Sequence, residues 1–253
     1  DVVILAQMVN GLHEIAAEKS SAVRDLQSES LSHQFLVWDN SIKEKASEPE
    51  VAQNLVALSG ALQVLGADGV LNLDLSISPP EPGPETQAIE TENSSTEQIT
   101  SSEPADDIVF LKAYQNIQSL FFTLMASEEF VDVFLIDLDG NIIYAANNRV
   151  ALAVNLTDGP YQQSGLGFLY RELQEAPIGR TTVADLKPFN DELTMFIGTP
   201  IYQEGAQVGI LACQLNLAII NTIVQDRTGL GTTGETFLVG EFDEATSLRS
   251  DRL

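Results

Sequence analysis

Residue types that build metal and catalytic sites are scarce in this chain of 253 residues. There is one cysteine, Cys213, and the two histidines, His13 and His33, both lie in the first helical stretch. A lone cysteine cannot form an internal disulfide, and zinc sites and catalytic triads need more cysteine or histidine than this. Because Cys213 lies in the apolar run 209–213, we interpret it as a buried hydrophobic residue. We therefore predict a non-enzymatic protein with no metal site, no cofactor and no catalytic residues.

Basic residues are scarce as well. The chain has 12 lysines and arginines against 37 acidic residues, and its formal net charge is -25. Such a surface repels phosphate backbones and anionic lipid headgroups, which excludes binding to nucleic acid or to a membrane surface by charge. The hydrophobic share of 44% is nevertheless enough for a packed core.

Long hydrophobic runs are the third absence. No stretch reaches the roughly 20 apolar residues that a membrane helix needs. The best candidate, residues 208–224, contains Gln214, Asn216 and Asn221 and predicts a strand followed by a helix. The chain opens on an apolar run at residues 2–5, as though it followed a hydrophobic segment. We interpret it as the soluble portion of a membrane protein, attached only through flanking transmembrane helices that are absent from this sequence.

Residues 1–75 are predicted to form two helices that serve as a stalk and dimerisation unit. The first has a stripe whose members are spaced alternately by three and four residues, which fits either one amphipathic helix packed on its own domain or a helix of a parallel dimer. Pro49 marks the start of the second helix, and Gly66 with the turn at 67–69 marks its end. The stripe consists of Leu5, Met8, Leu12, Ile15, Lys19, Ala22 and Leu26.

The composition changes at residues 76–107. Four prolines lie between positions 79 and 84, serine, threonine and glutamate follow, and no basic residue occurs between Lys45 and Lys112. A segment so poor in large hydrophobic residues cannot offset the entropy lost on ordering. We predict a disordered acidic linker, which proteases should cut first.

Residues 108–228 predict an α+β module built on one antiparallel sheet. A helix ends near Ser127, a strand covers 131–136, Asp139-Gly140 is a strong hairpin signal, and 141–144 is the return strand. A helix at 161–175 follows, then strands near 195–198 and 208–211, and a helix at 217–226. The Gly-rich run 229–234 has a helix before it and a strand after it, the reverse of a dinucleotide fingerprint.

The end of the chain contains three short motifs, Gly-Leu-Gly at 229–231, Thr-Gly-Glu-Thr-Phe-Leu-Val at 233–239 and Leu-Arg-Ser-Asp at 248–251. They resemble the junction between the two modules of the double-Cache sensor domains, which occur in chemoreceptors, sensor histidine kinases and membrane nucleotide cyclases. The family's distal module is similar to the hairpin at 134–144, the loop residues at 155–156 and 159–161, and the second hairpin at 198–202.

The resemblance covers about residues 108–251. It implies a long N-terminal helix, a distal PAS-like Cache module at 108–228 with a central antiparallel sheet flanked by helices, and the junction and first strand of an incomplete second module at 229–253. The amino-acid-binding version of the fold uses a tyrosine, an arginine and a tryptophan. The single tryptophan here, Trp38, lies outside the module, so an amino-acid ligand is not supported.

Four residues are candidates for a ligand site: Tyr144, Arg149, Asn155 and Tyr161. The loop between the Tyr144 strand and the Tyr161 helix must cover one face of the sheet, and its polar groups, with Asn147 and Asn148, can form hydrogen bonds. Arg149 is the one cation of this loop, which points to an anionic group on the ligand. Alternatively, Arg149 pairs with a surface acid and the tyrosines simply pack.

The function predicted from the sequence is extracytoplasmic ligand sensing, on the periplasmic or outer face of the bacterial inner membrane. A small solute would bind the distal module, and the conformational change would pass through the helices of a homodimer. The alternative is a ligand-free PAS-like module for structural, adhesion or assembly purposes.

Overall fold

The computed structural model describes residues 2–71, 105–147, 149–230, 234–242 and 245–251, and the side chains of residues 2–17, 66–71, 105–107 and 241–246 lie outside that description. The helices are α1 Val2–Ala46, α2 Pro49–Leu71, α3 Ala105–Glu128, α4 Gly165–Leu173 and α5 Leu217–Val224. The strands are β1 Asp132–Asp137, β2 Ile142–Ala145, β3 Thr182–Phe189, β4 Glu192–Gln203, β5 Ala206–Gln214, β6 Val239–Phe242 and β7 Ala245–Leu248. Within this described part, no helix is long and apolar enough to cross a membrane.

The centre of the module is a five-stranded antiparallel sheet with the order β2-β1-β5-β4-β3. Helices α1, α2 and α3 cover one face, where Leu55 of α2 lies against Gly209. Helix α4 covers the other face, where Leu169 and Leu173 lie against Gly198. The fold is therefore α+β, with a long N-terminal helix and a central antiparallel sheet flanked by helices, as predicted.

The first hairpin confirms the prediction made from its turn signal. The Asp137 carboxylate accepts hydrogen bonds from the backbone N–H groups of Asp139 and Asn141, at 3.0 and 2.8 Å, and from the Asn141 side chain at 3.0 Å. Gly140 has φ +86°, the left-handed conformation that this turn requires. The carboxylate is thus used to hold the turn.

Helix α4 begins where its sequence caps it and approaches the sheet closely. The Ser164 hydroxyl accepts a hydrogen bond from the Gly167 N–H, which satisfies one of the free donors of the first turn. A Cβ atom on Gly165 would lie 2.6 Å from the Phe196 ring, so only glycine fits there. The close approach buries Leu166, Leu169 and Leu173 against β4 and its neighbours.

The helical layer differs from the sequence prediction at one end. Helix α2 starts at Pro49 as predicted, but it does not end at Gly66, because the helix continues through 67–69 to Leu71. Its residues Val51, Leu55 and Leu58 are fully buried in the same core as α3 and the sheet. The second helix of the predicted stalk segment therefore contributes to the core of the module. The domain boundaries themselves stay a prediction.

Two strands were not predicted correctly. Strand β3 was missed, and its buried and exposed residues alternate irregularly because the register shifts between Ala184 and Lys187. A single strand was expected after the Gly-rich run 229–234, whereas the structure has two, β6 and β7, paired in a hairpin. Arg249, which follows β7, donates two hydrogen bonds to the Asp185 carboxylate of β3, at 2.6 and 2.7 Å.

The predicted acidic linker lies mostly outside the described residues. Residues 76–104 are not described, while 105–107 form the first turn of α3. The side chains of the α1 stripe from Leu5 to Ile15, and Asn148 in the loop after β2, also lie outside the description.

Candidate functional site

A cavity of about 330 Å³ lies at the end of the sheet where β1 begins, on the face that α4 covers. We call it the Arg149 cavity. It combines a carboxylate, a guanidinium, two side-chain amides, a second carboxylate and one aromatic ring. The residues that line it are Asp132, Arg149, Phe189, Asn190, Glu192 and Gln214.

Asp132 is the buried acid of the Arg149 cavity. It pairs with Gln214 across β1 and β5, and it is only 1% exposed. Its Oδ1 atom accepts hydrogen bonds from the N–H groups of Val133, at 2.8 Å, and Asn147, at 3.0 Å. Burial raises the pKa of Asp132 to about 6, although the backbone hydrogen bonds and the charge of Arg149 act in the opposite direction.

Arg149 is the exposed cation of the same cavity. Its backbone carbonyl accepts a hydrogen bond from the Asn190 side chain at 3.5 Å, which ties the loop after β2 to the β3–β4 turn. None of the ion pairs formed within the described residues involves Arg149. The guanidinium therefore keeps its hydrogen-bond donors for solvent or a ligand, and its charge favours ionised Asp132.

The aromatic wall is held by Tyr161. Its hydroxyl donates to the Asn190 side chain at 2.7 Å, and its ring lies 4.8 Å from that of Phe189, centroid to centroid. Phe189 in turn packs edge-on against Phe134 and Phe196, at 6.0 and 5.1 Å. Tyr161 thus positions both Asn190 and Phe189, two residues of the lining.

The structure brings two of the four candidate residues together and places the other two elsewhere. Tyr144 is fully buried on the face that α1, α2 and α3 cover, where its ring lies 4.9 Å from Tyr114 and 5.4 Å from Phe121. Asn155 donates to the Asp139 carbonyl and to the Asn141 side chain, both at 2.9 Å, and so supports the first hairpin. Arg149 and Tyr161 meet at Asn190. Ligand contact by any of the four stays a prediction.

Four polar residues of the cavity were missed by sequence reasoning. Asp132 and Gln214 lie at the ends of β1 and β5, Asn190 lies in the β3–β4 turn, and Glu192 begins β4. A polar residue at the end of a buried strand can indicate a site. A buried charge needs polar partners, and such partners are found where the strands end. Identifying the neighbours requires the pairing of β1 with β5, which joins residues 82 positions apart.

Two larger cavities, of about 430 Å³ each, lie away from this group. One is bounded by α1 and residues 236–238, and its cation, Arg24, already donates to Asp25 and Ser21. The other is bounded by β3, β4 and residues 247–249, and its arginine, Arg249, is paired with Asp185. Among the described residues, neither cavity combines a buried acid with a cation that makes no ion pair, as the Arg149 cavity does.

No known family profile and no curated protein matches the chain. Among solved structures, it is similar to the sensor domain of the Vibrio cholerae histidine kinase DctB, with 16% identity over 48% of this chain and 42% of that chain and a TM-score of 0.33. The ligand-binding domain of the Pseudomonas fluorescens chemoreceptor CtaA, in complex with L-serine, is 15% identical over 45% of this chain and 46% of that chain, with a TM-score of 0.35. The chain thus matches less than half the length of either domain.

A third solved structure matches along most of the chain. The sensory domain of a Campylobacter jejuni chemoreceptor is 11% identical over 86% of this chain and 89% of that chain, with a TM-score of 0.35. These three solved structures are sensor or ligand-binding domains of two chemoreceptors and a histidine kinase.

Proposed function

We propose that this chain is the non-enzymatic, extracytoplasmic sensor domain of a bacterial membrane receptor, and that it binds a small solute in the Arg149 cavity. The observation that carries the proposal is that two charged residues line one cavity. Asp132 is a buried carboxylate, and Arg149 is a cation that makes no ion pair with a described residue. Burying a carboxylate costs stability, and buried charges of this kind are common at binding sites.

The lining indicates the chemistry of the solute. Arg149 offers several N–H donors to an anionic group. Asp132, Glu192 and the amide oxygens of Asn190 and Gln214 can accept hydrogen bonds from donor groups elsewhere on the ligand. A volume of about 330 Å³ is at the lower end of ligand pockets, which favours a small metabolite.

Ligand binding would act on two loops at once. Arg149 lies after β2 and Asn190 lies in the β3–β4 turn, so a ligand that bridges them draws these loops together. Strand β4 also contacts α1 on the opposite face of the sheet. We infer that loop closure shifts the packing of α1 on β4, which passes a conformational signal along this helix.

The signal would be read in a homodimer formed through α1, in a protein anchored by flanking transmembrane helices. Leu26, which belongs to the predicted stripe, is 62% exposed, and Leu36, which continues the spacing, is 55% exposed. Two exposed leucines on one stripe of a helix favour a partner helix of the same kind.

The experiment is a thermal-shift screen of small anionic metabolites, followed by calorimetry on the wild type and on Arg149→Ala. We expect Arg149→Ala to weaken binding by about 1.5–3 kcal/mol, the value of a charged hydrogen bond. Tyr144→Phe is the control, since it removes a hydroxyl that makes no hydrogen bond with a described residue and lies outside the cavity. Equal affinity of the wild type and Arg149→Ala would remove Arg149 from the site, and a screen without any ligand would favour the structural alternative.

A further inference from the structure

A second cavity, of about 310 Å³, lies at the other end of β1, between the C-terminal end of α4 and the β4–β5 hairpin. We call it the Tyr170 cavity. Its walls include Tyr170 of α4, Gln174 and Glu175 directly after α4, and Tyr202 and Gln207 of the hairpin. The six residues of β1 separate it from the Arg149 cavity by about 17 Å along the sheet.

Three hydrogen-bond donors in these walls are directed at backbone carbonyls. The Tyr170 hydroxyl donates to the Leu138 carbonyl at 2.8 Å, and the Tyr202 hydroxyl donates to the Ala176 carbonyl. The Gln207 Nε2 group donates to the Leu173 carbonyl at 2.9 Å. A tyrosine has a single hydroxyl proton, so both phenol oxygens can then only accept, and Gln207 retains its Oε1 atom as an acceptor. The cavity therefore offers mainly acceptors.

The charges around the cavity are negative. None of its lining residues is a lysine, arginine or histidine, and Glu175 makes no ion pair with a described residue. Burial raises the pKa of Tyr170, and the charges of Asp137 and Asp139 raise it further. A nearby negative charge disfavours the phenolate and favours a cation at the same place.

Two aromatic rings complete the set. Tyr170 and Tyr202 border the cavity from α4 and from β4, and a tyrosine ring can attract a cation to its face. We propose that the Tyr170 cavity binds a small organic cation that carries N–H groups, a protonated amine. The N–H groups would meet the phenol and amide oxygens, and Glu175 would supply the opposite charge. This site is separate from the anion-binding site proposed at Arg149.

The test is calorimetry with n-butylammonium chloride as the probe and tetramethylammonium chloride as the comparison. We expect butylammonium to bind more tightly, because tetramethylammonium has no N–H group to donate. Glu175→Gln should weaken butylammonium binding about tenfold, since it removes a charged acceptor. Tyr202→Phe should weaken it by a smaller factor, and Arg149→Ala should leave it unchanged.

Glu172→Gln is the matched control, because Glu172 is an exposed acid of α4 that does not line the cavity. It removes one negative charge, as Glu175→Gln does, and should leave the affinity unchanged. The proposal is overturned if Glu172→Gln weakens binding as much as Glu175→Gln, if Glu175→Gln has no effect, or if butylammonium does not bind. Equal binding of the two ammonium ions would also overturn it, because the N–H groups would then play no part.

Discussion

Asp132 of β1 and Tyr144 of β2 lie on neighbouring strands, yet their side chains face opposite layers of the module. Tyr144 pairs with Leu135 of β1 and faces α3, whereas Asp132 lines the Arg149 cavity on the face that α4 covers. Sequence reasoning grouped Tyr144 with Arg149 because they are close in the chain. Side chains in a strand alternate between faces, so the correct grouping needs the register of β1 against β2 and β5.

Asp132 should make the stability of the free protein depend on pH. Its pKa is raised to about 6 from 3.8, so the folded state binds a proton in a range where the unfolded state has released it. The contribution of Asp132 therefore becomes less favourable as pH rises from about 4 to about 6, by at most about 3 kcal/mol. We expect Asp132→Asn to be more stable than the wild type at pH 7 by about 1–3 kcal/mol, because the amide oxygen still accepts both N–H groups.

Urea denaturation at several pH values above the isoelectric point would measure this difference. Asp158→Asn is the control, since Asp158 is exposed and outside the cavity, and its pH profile should follow the wild type. An Asp132→Asn profile parallel to that of the wild type would show that Asp132 is not the responsible group. The same variant should bind the ligand of the Arg149 cavity less well.

Secondary-structure elements were predictable where a local signal exists. Pro49 at the start of α2, Asp139-Gly140 in the first hairpin and Glu204-Gly205 in the β4–β5 turn all act within a few residues. The end of α2 and the whole of β3 depend on distant contacts. Leu55 and Leu58 hold α2 against the sheet, and β3 is defined by its pairing with β4 rather than by an alternating pattern.

Two glycines allow a matched test of the contact between α4 and the sheet. Gly165→Ala would place a Cβ atom 2.6 Å from the Phe196 ring, so we expect it to lower the free energy of unfolding by about 1–3 kcal/mol. Gly60→Ala in α2 would meet no atom within 4 Å and should raise that free energy by about 0.5–1 kcal/mol, because alanine favours a helix. Denaturant titration gives both values. If the two variants change stability in the same direction, the close approach of α4 to Phe196 is wrong.

At the scale of the whole molecule, the net charge of -25 opposes the association that the α1 stripe favours. We expect the free protein to dimerise weakly, and more strongly as ionic strength increases, because salt screens the repulsion. Leu26→Glu should shift the protein to the monomer. Val64→Glu, which changes an exposed valine of α2 that is 67% exposed, should not.

Sedimentation equilibrium at low and high ionic strength would measure both variants. An unchanged association constant in Leu26→Glu would place the interface on another surface. The sequence predicted the stripe and the acidic surface, and both follow from composition and spacing alone. The sequence could not predict which part of α1 is covered by its own module. That depends on Trp38 and Ile42, which are fully buried, whereas Leu26 and Leu36 remain exposed.

The length of α1 has a mechanical consequence. A continuous helix of 45 residues is roughly 68 Å long, because each residue adds about 1.5 Å. Trp38, Ile42 and Ala46 fix its C-terminal end in the core beside the sheet, and the buried Gln27 side chain donates to the carbonyls of Val224 and Asp226. The module therefore holds α1 as far as Gln27, and about 25 residues, roughly 38 Å of helix, precede that contact. A tilt of about 5° of this part would move its far end by about 3 Å. A small rearrangement of side chains near the sheet would thus become a larger displacement at the N-terminal end of α1. Such a rearrangement would leave the fold unchanged.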